Sequence, residues 1–272
     1  MNFKAALLSA GLGLGMALPA FGAAIVPGFD DFTLAPNDDA STGLVNIGFD
    51  ANFFGLTFNS LYVNNNGNVT FDSTLSAFTP FDLTSTGRQI IAPFFADVDT
   101  RNHGNPVTYG QGTFNGMQAF GVNWIDVDYF ASSATHTNLN SFQLVLVERS
   151  DIAAGDFDII FNYDKIQWET GTVSGGNSDG LGGNSARVGF SNGTGLDGSF
   201  FELDGSAING AFLDGGSNAL ISNRLNSDVD GRYVFRARSG GIDTTPTPVP
   251  APATLALMLA GLVLLQRRMF RR

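Results

Sequence analysis

Cysteine is absent from this 272-residue chain. Its absence excludes thiol catalysis, cysteine-ligated zinc sites and iron–sulfur clusters. It also means that no disulfide stabilises the fold. Stability must therefore come from the hydrophobic core, which a chain of about 220 residues is long enough to build.

Histidine is rare as well, with two residues in the chain. His103 and His136 each lie in a polar stretch without a His or Glu partner at ligand spacing, which predicts solvated loop histidines rather than a zinc site. GFSNG (189–193) matches the Gly-x-Ser-x-Gly motif of serine hydrolases. Ser191, however, precedes a glycine-rich segment that cannot begin the required helix, and both histidines come before it in the chain. The sequence therefore predicts a strand end here, not a nucleophile.

The N-terminus has the three parts of a secretory signal peptide. Lys4 gives a short basic start, and residues 5–21 form an apolar stretch broken by glycines. Small residues then allow cleavage after Gly22 or after Ala24. We therefore predict that residues 1–24 are a signal peptide and that the rest of the chain is exported; a membrane anchor is the alternative.

The C-terminal apolar run is short. Residues 253–265 would extend about 20 Å as a helix, less than the ~30 Å core of a bilayer. They follow a linker rich in proline and threonine (241–252) and lead into an arginine-rich end, so that residues 253–272 form an apolar helix with a basic tail. This order predicts either a minimal membrane anchor or a sorting signal whose tail is later removed.

Basic residues are few between these two ends. Lys4 and the four C-terminal arginines are five of the 14 Lys and Arg, whereas all 25 Asp and Glu lie between Asp30 and Asp243. The exported part thus has nine basic against 25 acidic residues, a net charge of −16. Such a surface repels nucleic acid and attracts cations. No Gly-x-x-x-x-Gly-Lys stretch is present, so nucleotide binding has no support either.

Helical periodicity is missing from residues 25–240. Short runs rich in Phe, Val and Ile alternate with turns rich in Gly, Asn and Asp, which predicts a single all-β domain, either a sandwich or an open barrel. Asn66-Gly67 predicts a hairpin turn with positive φ at both positions. The glycine-rich loop 171–186 is too polar to pack and is expected to be mobile. The predicted strands are 56–63, 68–71, 89–95, 120–130, 141–149, 157–163, 186–190 and 232–238.

Asp-x-Asp motifs are the remaining candidates for chemistry. In a strand, residues i and i+2 share a face about 6.5 Å apart, which allows a glycosidase pair, although catalytic carboxylates normally come from different elements. A solvated strand face or turn and a Ca²⁺ site are the alternatives. Asp97 and Asp99 are the first candidates for Ca²⁺, because the strand that ends in Phe94-Phe95 buries the preceding backbone. The four pairs are Asp97/Asp99, Asp126/Asp128, Asp156/Asp158 and Asp228/Asp230.

Several blocks follow one another in a characteristic order. They are NDDASTGLVNIGFDANFFG (37–55), LYVNNNGNVTF (61–71), IIAPFFADVDTR (90–101), VNWIDVDYF (122–130), LNSFQLVLVER (139–149), FDIIFNYDKIQW (157–168), ARVGFSNG (186–193) and DGRYVFRAR (230–238). Together they resemble the nidogen-like (NIDO) extracellular domain. The resemblance implies a role in cell–matrix adhesion without catalytic activity. It also implies that Asp97 and Asp99 form an acidic turn after a buried strand.

The C-terminal segment resembles the PEP-CTERM sorting signal of exported bacterial proteins. Its proline motif, apolar helix and arginines have the spacing of that signal, with Ala251 where the usual motif has Glu. The resemblance implies processing by an exosortase-type membrane protease, with membrane attachment through the helix before processing. The mature protein is then expected at the cell surface or in the exopolysaccharide matrix of a Gram-negative bacterium. The matched residues are Val249, Pro250, Pro252, Ala253, Arg267 and Arg268.

These patterns predict an exported, non-catalytic adhesion module. Its expected partners are components of the extracellular matrix or of exopolysaccharide, and not nucleic acid. The alternative is a polysaccharide-binding or carbohydrate-active protein of the same matrix, which would use Asp pairs and exposed Trp124 or Trp168. No cofactor is predicted apart from the Ca²⁺ considered above.

Overall fold

The structure, a computed structural model, describes residues 24–131 and 136–246. The predicted signal peptide, except for Ala24, and the predicted sorting residues from 249 to 268 lie outside the described residues. Within the described ranges the regular elements are β-strands, and no helix there is long and apolar enough to cross a membrane. The strands are β1 Phe32–Thr33, β2 Val45–Phe53, β3 Leu56–Asn64, β4 Asn68–Thr70, β5 Gln89–Phe95, β6 Val98–Asp99, β7 Thr108–Phe114, β8 Met117–Tyr129, β9 Asn140–Glu148, β10 Phe157–Lys165, β11 Arg187–Asn192, β12 Phe200–Glu202, β13 Arg232–Arg238 and β14 Gly241–Asp243.

The strands form two antiparallel sheets that pack as a sandwich-like domain. The larger sheet has the order β1-β7-β8-β9-β10-β13-β14, with β6 paired to β8, and the smaller has the order β12-β11-β5-β4-β3-β2. The predicted all-β class is confirmed, and each predicted strand is present. Six strands of the described ranges are not predicted by the pattern. β1, β6, β12 and β14 have only two or three residues each, and in β2 and β7 the residues Gly48, Gly110 and Gly112 interrupt the apolar runs.

Strand β10 shows how the sequence pattern forms the core. Phe157, Ile159, Phe161 and Tyr163 are fully buried between the sheets, as their period of two predicts. The intervening Asn162 lies on the opposite face, where it hydrogen-bonds to polar side chains of the neighbouring strands. Burial of each large ring stabilises the fold by roughly 1.5–3 kcal/mol.

Strand β5 is buried on both faces. Phe94 enters the main core, with its ring centroid 5.2 Å from that of Phe142. Phe95 packs in a separate cluster, 5.0 Å from Phe81. The segment 75–83 supplies several residues of that second cluster. Because both faces of β5 are covered, its sequence is apolar from Ile90 to Phe95.

The predicted hairpin is confirmed, since β3 and β4 pair directly, but its turn differs from the prediction. The turn has three residues, Asn65, Asn66 and Gly67, and of these Gly67 alone has a positive φ, of 70°. A Cβ at Gly67 would collide with the carbonyl oxygen of Phe94, so the close approach of β5 also requires glycine. The two asparagines use their side chains to hold neighbouring loops, as described below.

The loop 171–186 packs against the domain, so the expectation that it does not pack is wrong. The backbone N–H of Glu169 donates to the carbonyl of Gly180 at 2.9 Å, and the Ser174 and Ser185 side chains are buried. Four glycines of the loop have positive φ. They allow tight turns in which the loop satisfies its own backbone groups.

Residues 24–29 lie across the outer face of the larger sheet, on a row of polar side chains. Gln143 accepts a hydrogen bond from the Val26 N–H at 3.1 Å and donates one to the Val26 carbonyl at 2.7 Å. The register of the sheet places the members of this row side by side, and their hydrogen bonds to the backbone hold residues 24–29 on the sheet. Beside the row, Phe29 packs on buried apolar residues of the same sheet. The row consists of Asn123, Gln143, Asn162 and Arg232.

Candidate functional site

Asp97 lies beside two aspartates from the N-terminal part of the chain. Asp38 and Asp39 belong to the loop between β1 and β2, and Asp97 directly follows β5. One carboxylate oxygen from each of the three lies within 4.8 Å of the others. We call these three residues the acidic cluster. Sequence reasoning missed Asp38 and Asp39, although the adjacent carboxylates in NDDASTG (37–43) are a signal that points to them.

The asparagines of the β3–β4 turn hold the acidic cluster together. Asn65 Nδ2 donates to the carbonyls of Asp38 and Val98, each at 2.6 Å. Asn66 Nδ2 donates to Asp39 Oδ1 at 2.8 Å, while its Oδ1 accepts from the Val98 N–H at 3.0 Å. Because an amide side chain both donates and accepts, each asparagine can hold two loops at once. The turn thus positions the Asp38-Asp39 loop against the end of β5.

Asp97 is buried without a partner for one of its oxygens. The residue is 2% exposed, and its Oδ2, like Oδ1 of Asp38, has no hydrogen-bond partner within the described chain. Burial, followed by the charges of Asp38 and Asp39, raises the pKa of Asp97 to about 8. Burial raises the pKa of Asp38 to about 6. Asp97 therefore lacks the neighbouring positive charge that would stabilise its ionised form.

Asp99 has a different environment from Asp97. Arg101 binds it in bidentate fashion, with Nε 2.9 Å from Oδ1 and Nη2 2.7 Å from Oδ2. The same Nη2 lies 3.1 Å from Asp38 Oδ2. Two carboxylates thus share one guanidinium, whereas Asp39 and Asp97 form no ion pair with a described residue. Asp97 and Asp99, predicted to form one Ca²⁺ site, therefore lie in different environments. Asp97 belongs to the acidic cluster, whereas Asp99 is paired with Arg101.

The other three Asp-x-Asp motifs form structural ion pairs. In each motif at least one carboxylate contacts a basic side chain. An ion pair keeps a carboxylate ionised, so these residues are poor candidates for the general acid of a glycosidase. The contacts are Asp126 with Lys165, Asp158 with Arg149 and Arg238, and Asp230 with Arg224.

His136 is not a solvated loop residue, which corrects the prediction. Its side chain is 10% exposed and stacks on Tyr129 with 4.1 Å between ring centroids. Nδ1 lies 2.5 Å from Asp128 Oδ1. The ring of His103 lies 6.2 Å away. Packing against β8, which a polar sequence context does not reveal, buries His136.

The remaining candidates are interior residues. Ser191 is fully buried in β11, and its Oγ accepts from the Gly193 N–H at 3.2 Å, in keeping with the predicted strand end. Trp124 and Trp168 are also fully buried. Their Nε1 atoms donate to backbone carbonyls at 3.0 and 3.1 Å. The prediction that exposed tryptophans bind polysaccharide is therefore wrong, because both indoles belong to the core.

Comparison with known proteins identifies the family to which this fold belongs. The model of the nidogen-like domain (NIDO) matches residues 59–239. The chain belongs to the nidogen-like family. Asp97 lies within the matched range of this nidogen-like chain, and Asp38 and Asp39 precede it.

Curated relatives extend the comparison. The chain is 36% identical over 234 residues to alpha-tectorin of Mus musculus, which covers 76% of this chain and 10% of the relative. It is 32% identical over 237 residues to alpha-tectorin of Gallus gallus, with 78% and 11% covered. It is 27% identical over 228 residues to nidogen of Drosophila melanogaster, with 74% and 15% covered. The chain thus spans a small part of the length of these relatives. No solved structure matches it.

Proposed function

We propose that this nidogen-like protein is an exported, non-catalytic adhesion module that contacts components of the extracellular matrix or of exopolysaccharide. The family match over residues 59–239 carries the proposal, since the family's role is cell–matrix adhesion. The interior positions of Ser191, Trp124 and Trp168 support it. These residues were the candidates for a nucleophile and for a sugar-binding surface, and each has a structural role instead.

Attachment of the source cells tests the adhesion function. Cells without the gene, and the same cells carrying an intact copy, are compared for binding to a surface coated with their own extracellular matrix. We expect deletion to reduce attachment and the intact copy to restore it. Equal attachment of both strains contradicts the proposal. Release of reducing sugar by the purified protein, from any of a panel of polysaccharides, contradicts the non-catalytic part.

We further propose that export uses residues 1–24 as a signal peptide and that a PEP-CTERM-type signal sorts the protein. The proline motif before residues 253–265 and the shortness of that apolar run support removal of the tail after about Pro252. The intact mass of the protein recovered from its source cells tests this step. A mature form that retains Arg271 and Arg272 contradicts processing and favours a simple membrane anchor.

A further inference from the structure

We infer that the acidic cluster of Asp38, Asp39 and Asp97 binds a divalent cation, Ca²⁺, which joins the N-terminal loop to the end of β5. This inference is independent of the proposed adhesion function. It rests on the unpartnered oxygens, the local charge and the spacing of the three carboxylates.

The unpartnered oxygens point to a missing ligand. Asp97 is 2% exposed, and its Oδ2 and the Oδ1 of Asp38 are buried atoms without a hydrogen-bond partner in the described chain. Burying a carboxylate oxygen without a partner is unfavourable, and charged groups inside proteins are normally paired or bound to metal. Both residues belong to the cluster in which one carboxylate oxygen of each residue lies within 4.8 Å of the others, so one ion bound there would contact both residues.

The local charge favours a cation. The Arg101 guanidinium binds Asp99 and Asp38. Neither Asp39 nor Asp97 forms an ion pair with a basic side chain of the described residues. A divalent cation would neutralise most of the remaining negative charge.

The spacing and the ligand atoms favour Ca²⁺. Oxygen ligands lie about 2.3–2.6 Å from Ca²⁺, so two of them on one ion can be separated by up to about 5 Å. The three carboxylates offer oxygens within 4.8 Å of one another. Mg²⁺ requires about 2.0–2.1 Å and near-ideal octahedral geometry, which irregular loops satisfy less well. Carboxylates without His or Cys are the ligands of a hard cation.

A recess beside the cluster leaves room for further ligands. It has a volume of about 130 Å³ and is lined by the three aspartates together with Phe78, Phe130 and Val173. Ca²⁺ takes about six to eight oxygen ligands, and three protein carboxylates do not supply that many. Water can occupy the remaining positions from the side of the recess.

Calorimetric titration of the full-length, EDTA-treated protein with CaCl₂ and with MgCl₂ tests the inference, together with melting curves in each ion. We expect Ca²⁺ to bind more tightly than Mg²⁺ and to raise the melting temperature progressively with its concentration, because it binds the folded state. Asp97→Asn and Asp39→Asn should each weaken Ca²⁺ binding by about tenfold or more. Without metal, Asp97→Asn should melt no lower than the parent protein, because Asn keeps the shape of the side chain and has no charge to bury.

Two matched controls separate a defined site from general attraction to an acidic surface. Asp197→Asn changes an exposed carboxylate and should leave Ca²⁺ affinity unchanged. A Cβ at Gly171 would collide with Asp97 Oδ2, so Gly171→Ala should abolish binding without changing any charge. Gly87→Ala adds a methyl group where nothing lies within 4 Å and should bind as the parent does.

Three results would overturn the inference. The first is a titration without heat and melting curves that coincide in EDTA and in Ca²⁺. The second is a loss of affinity in Asp197→Asn as large as that in Asp97→Asn. The third is tighter binding of Mg²⁺ than of Ca²⁺, which contradicts the choice of ion.

Discussion

The hydroxyl of Tyr163 donates a 2.6 Å hydrogen bond to the carbonyl oxygen of Pro93. Tyr163 lies on β10 of the larger sheet and Pro93 on β5 of the smaller one, so this bond joins the two layers inside the core. Both partners are enclosed, and burial raises the pKa of the Tyr163 hydroxyl well above its ordinary value. The hydroxyl therefore stays protonated and can serve as a permanent donor.

Tyr163→Phe should lower the free energy of unfolding by about 1–3 kcal/mol, because it leaves a buried carbonyl without a donor. The midpoint of urea unfolding measures the change. Tyr233→Phe is the matched control: its hydroxyl lies 3.4 Å from the Leu220 carbonyl, a long and weak contact, so its loss should be smaller. Equal losses in the two variants would contradict a special role for the Tyr163 bond.

The strand that precedes the acidic cluster should be more sensitive to change than its carboxylates. Phe94 and Phe95 are fully buried on opposite faces of β5, so replacing either by Ala should cost about 3–5 kcal/mol. That is a large part of the ~5–15 kcal/mol that stabilises a typical domain. Asp97→Asn keeps the shape of the side chain and should cost much less. Urea midpoints of the three variants measure these differences.

A glycosidase screen of the unmodified protein accompanies these measurements. A catalytic Asp97 would give the opposite result, with mild effects of both Phe variants and loss of an activity in Asp97→Asn. Such a result would favour a carbohydrate-active enzyme over an adhesion module.

The strands that could be predicted are those whose signals are local. In β10, alternation places Phe157 and Phe161 on one face, and this is how they lie in the core. The turn at Asn66-Gly67 was predicted in position but not in type. Its asparagines hydrogen-bond to residues about 30 positions away, and such contacts have no counterpart in a short sequence pattern.

The acidic cluster could be predicted only in part. Asp97 follows an apolar strand, and this pattern marks it as a candidate. Its partners Asp38 and Asp39 come from the loop between β1 and β2, which is distant in sequence. The local spacing favoured Asp99 instead, which Arg101 neutralises. Burial of Trp124 and Trp168 was missed for a similar reason, because it depends on packing between sheets and loops that are distant in sequence.

Glu169 should give the protein a measurable pH dependence. The side chain is fully buried and accepts hydrogen bonds from the Phe212 N–H at 2.8 Å and the Gly210 N–H at 2.6 Å. Burial outweighs these bonds and raises its pKa above the ordinary 4.5. The folded state therefore binds this proton more tightly than the unfolded state. The resulting stability is fully present below pH 4.5 and is lost as the pH rises through the folded-state pKa.

Glu169→Gln removes this titration and tests its sign. The amide cannot accept from both N–H groups, so the variant should be less stable than the parent protein at low pH. As the pH rises toward neutrality, the difference in unfolding free energy between the two proteins should shrink, because only the parent loses stability from this group. Urea unfolding at a series of pH values measures the difference. A constant or growing difference would contradict the raised pKa.

The polar row under the N-terminal segment provides the last prediction. Gln143 binds both the N–H and the carbonyl of Val26 and also accepts a 2.8 Å hydrogen bond from Asn162. Gln143→Ala should therefore cost about 2–4 kcal/mol, because several buried groups lose their partners at roughly 1–3 kcal/mol each. It should also speed hydrogen exchange of the Val26 amide and expose residues 24–29 to protease.

Gln118→Ala is the matched control. Gln118 donates to the Gly48 carbonyl from an exposed position on β8, and the cost of this substitution should stay within about 0.5 kcal/mol. If Gln143→Ala leaves Val26 exchange unchanged, the row does not hold the N-terminal segment.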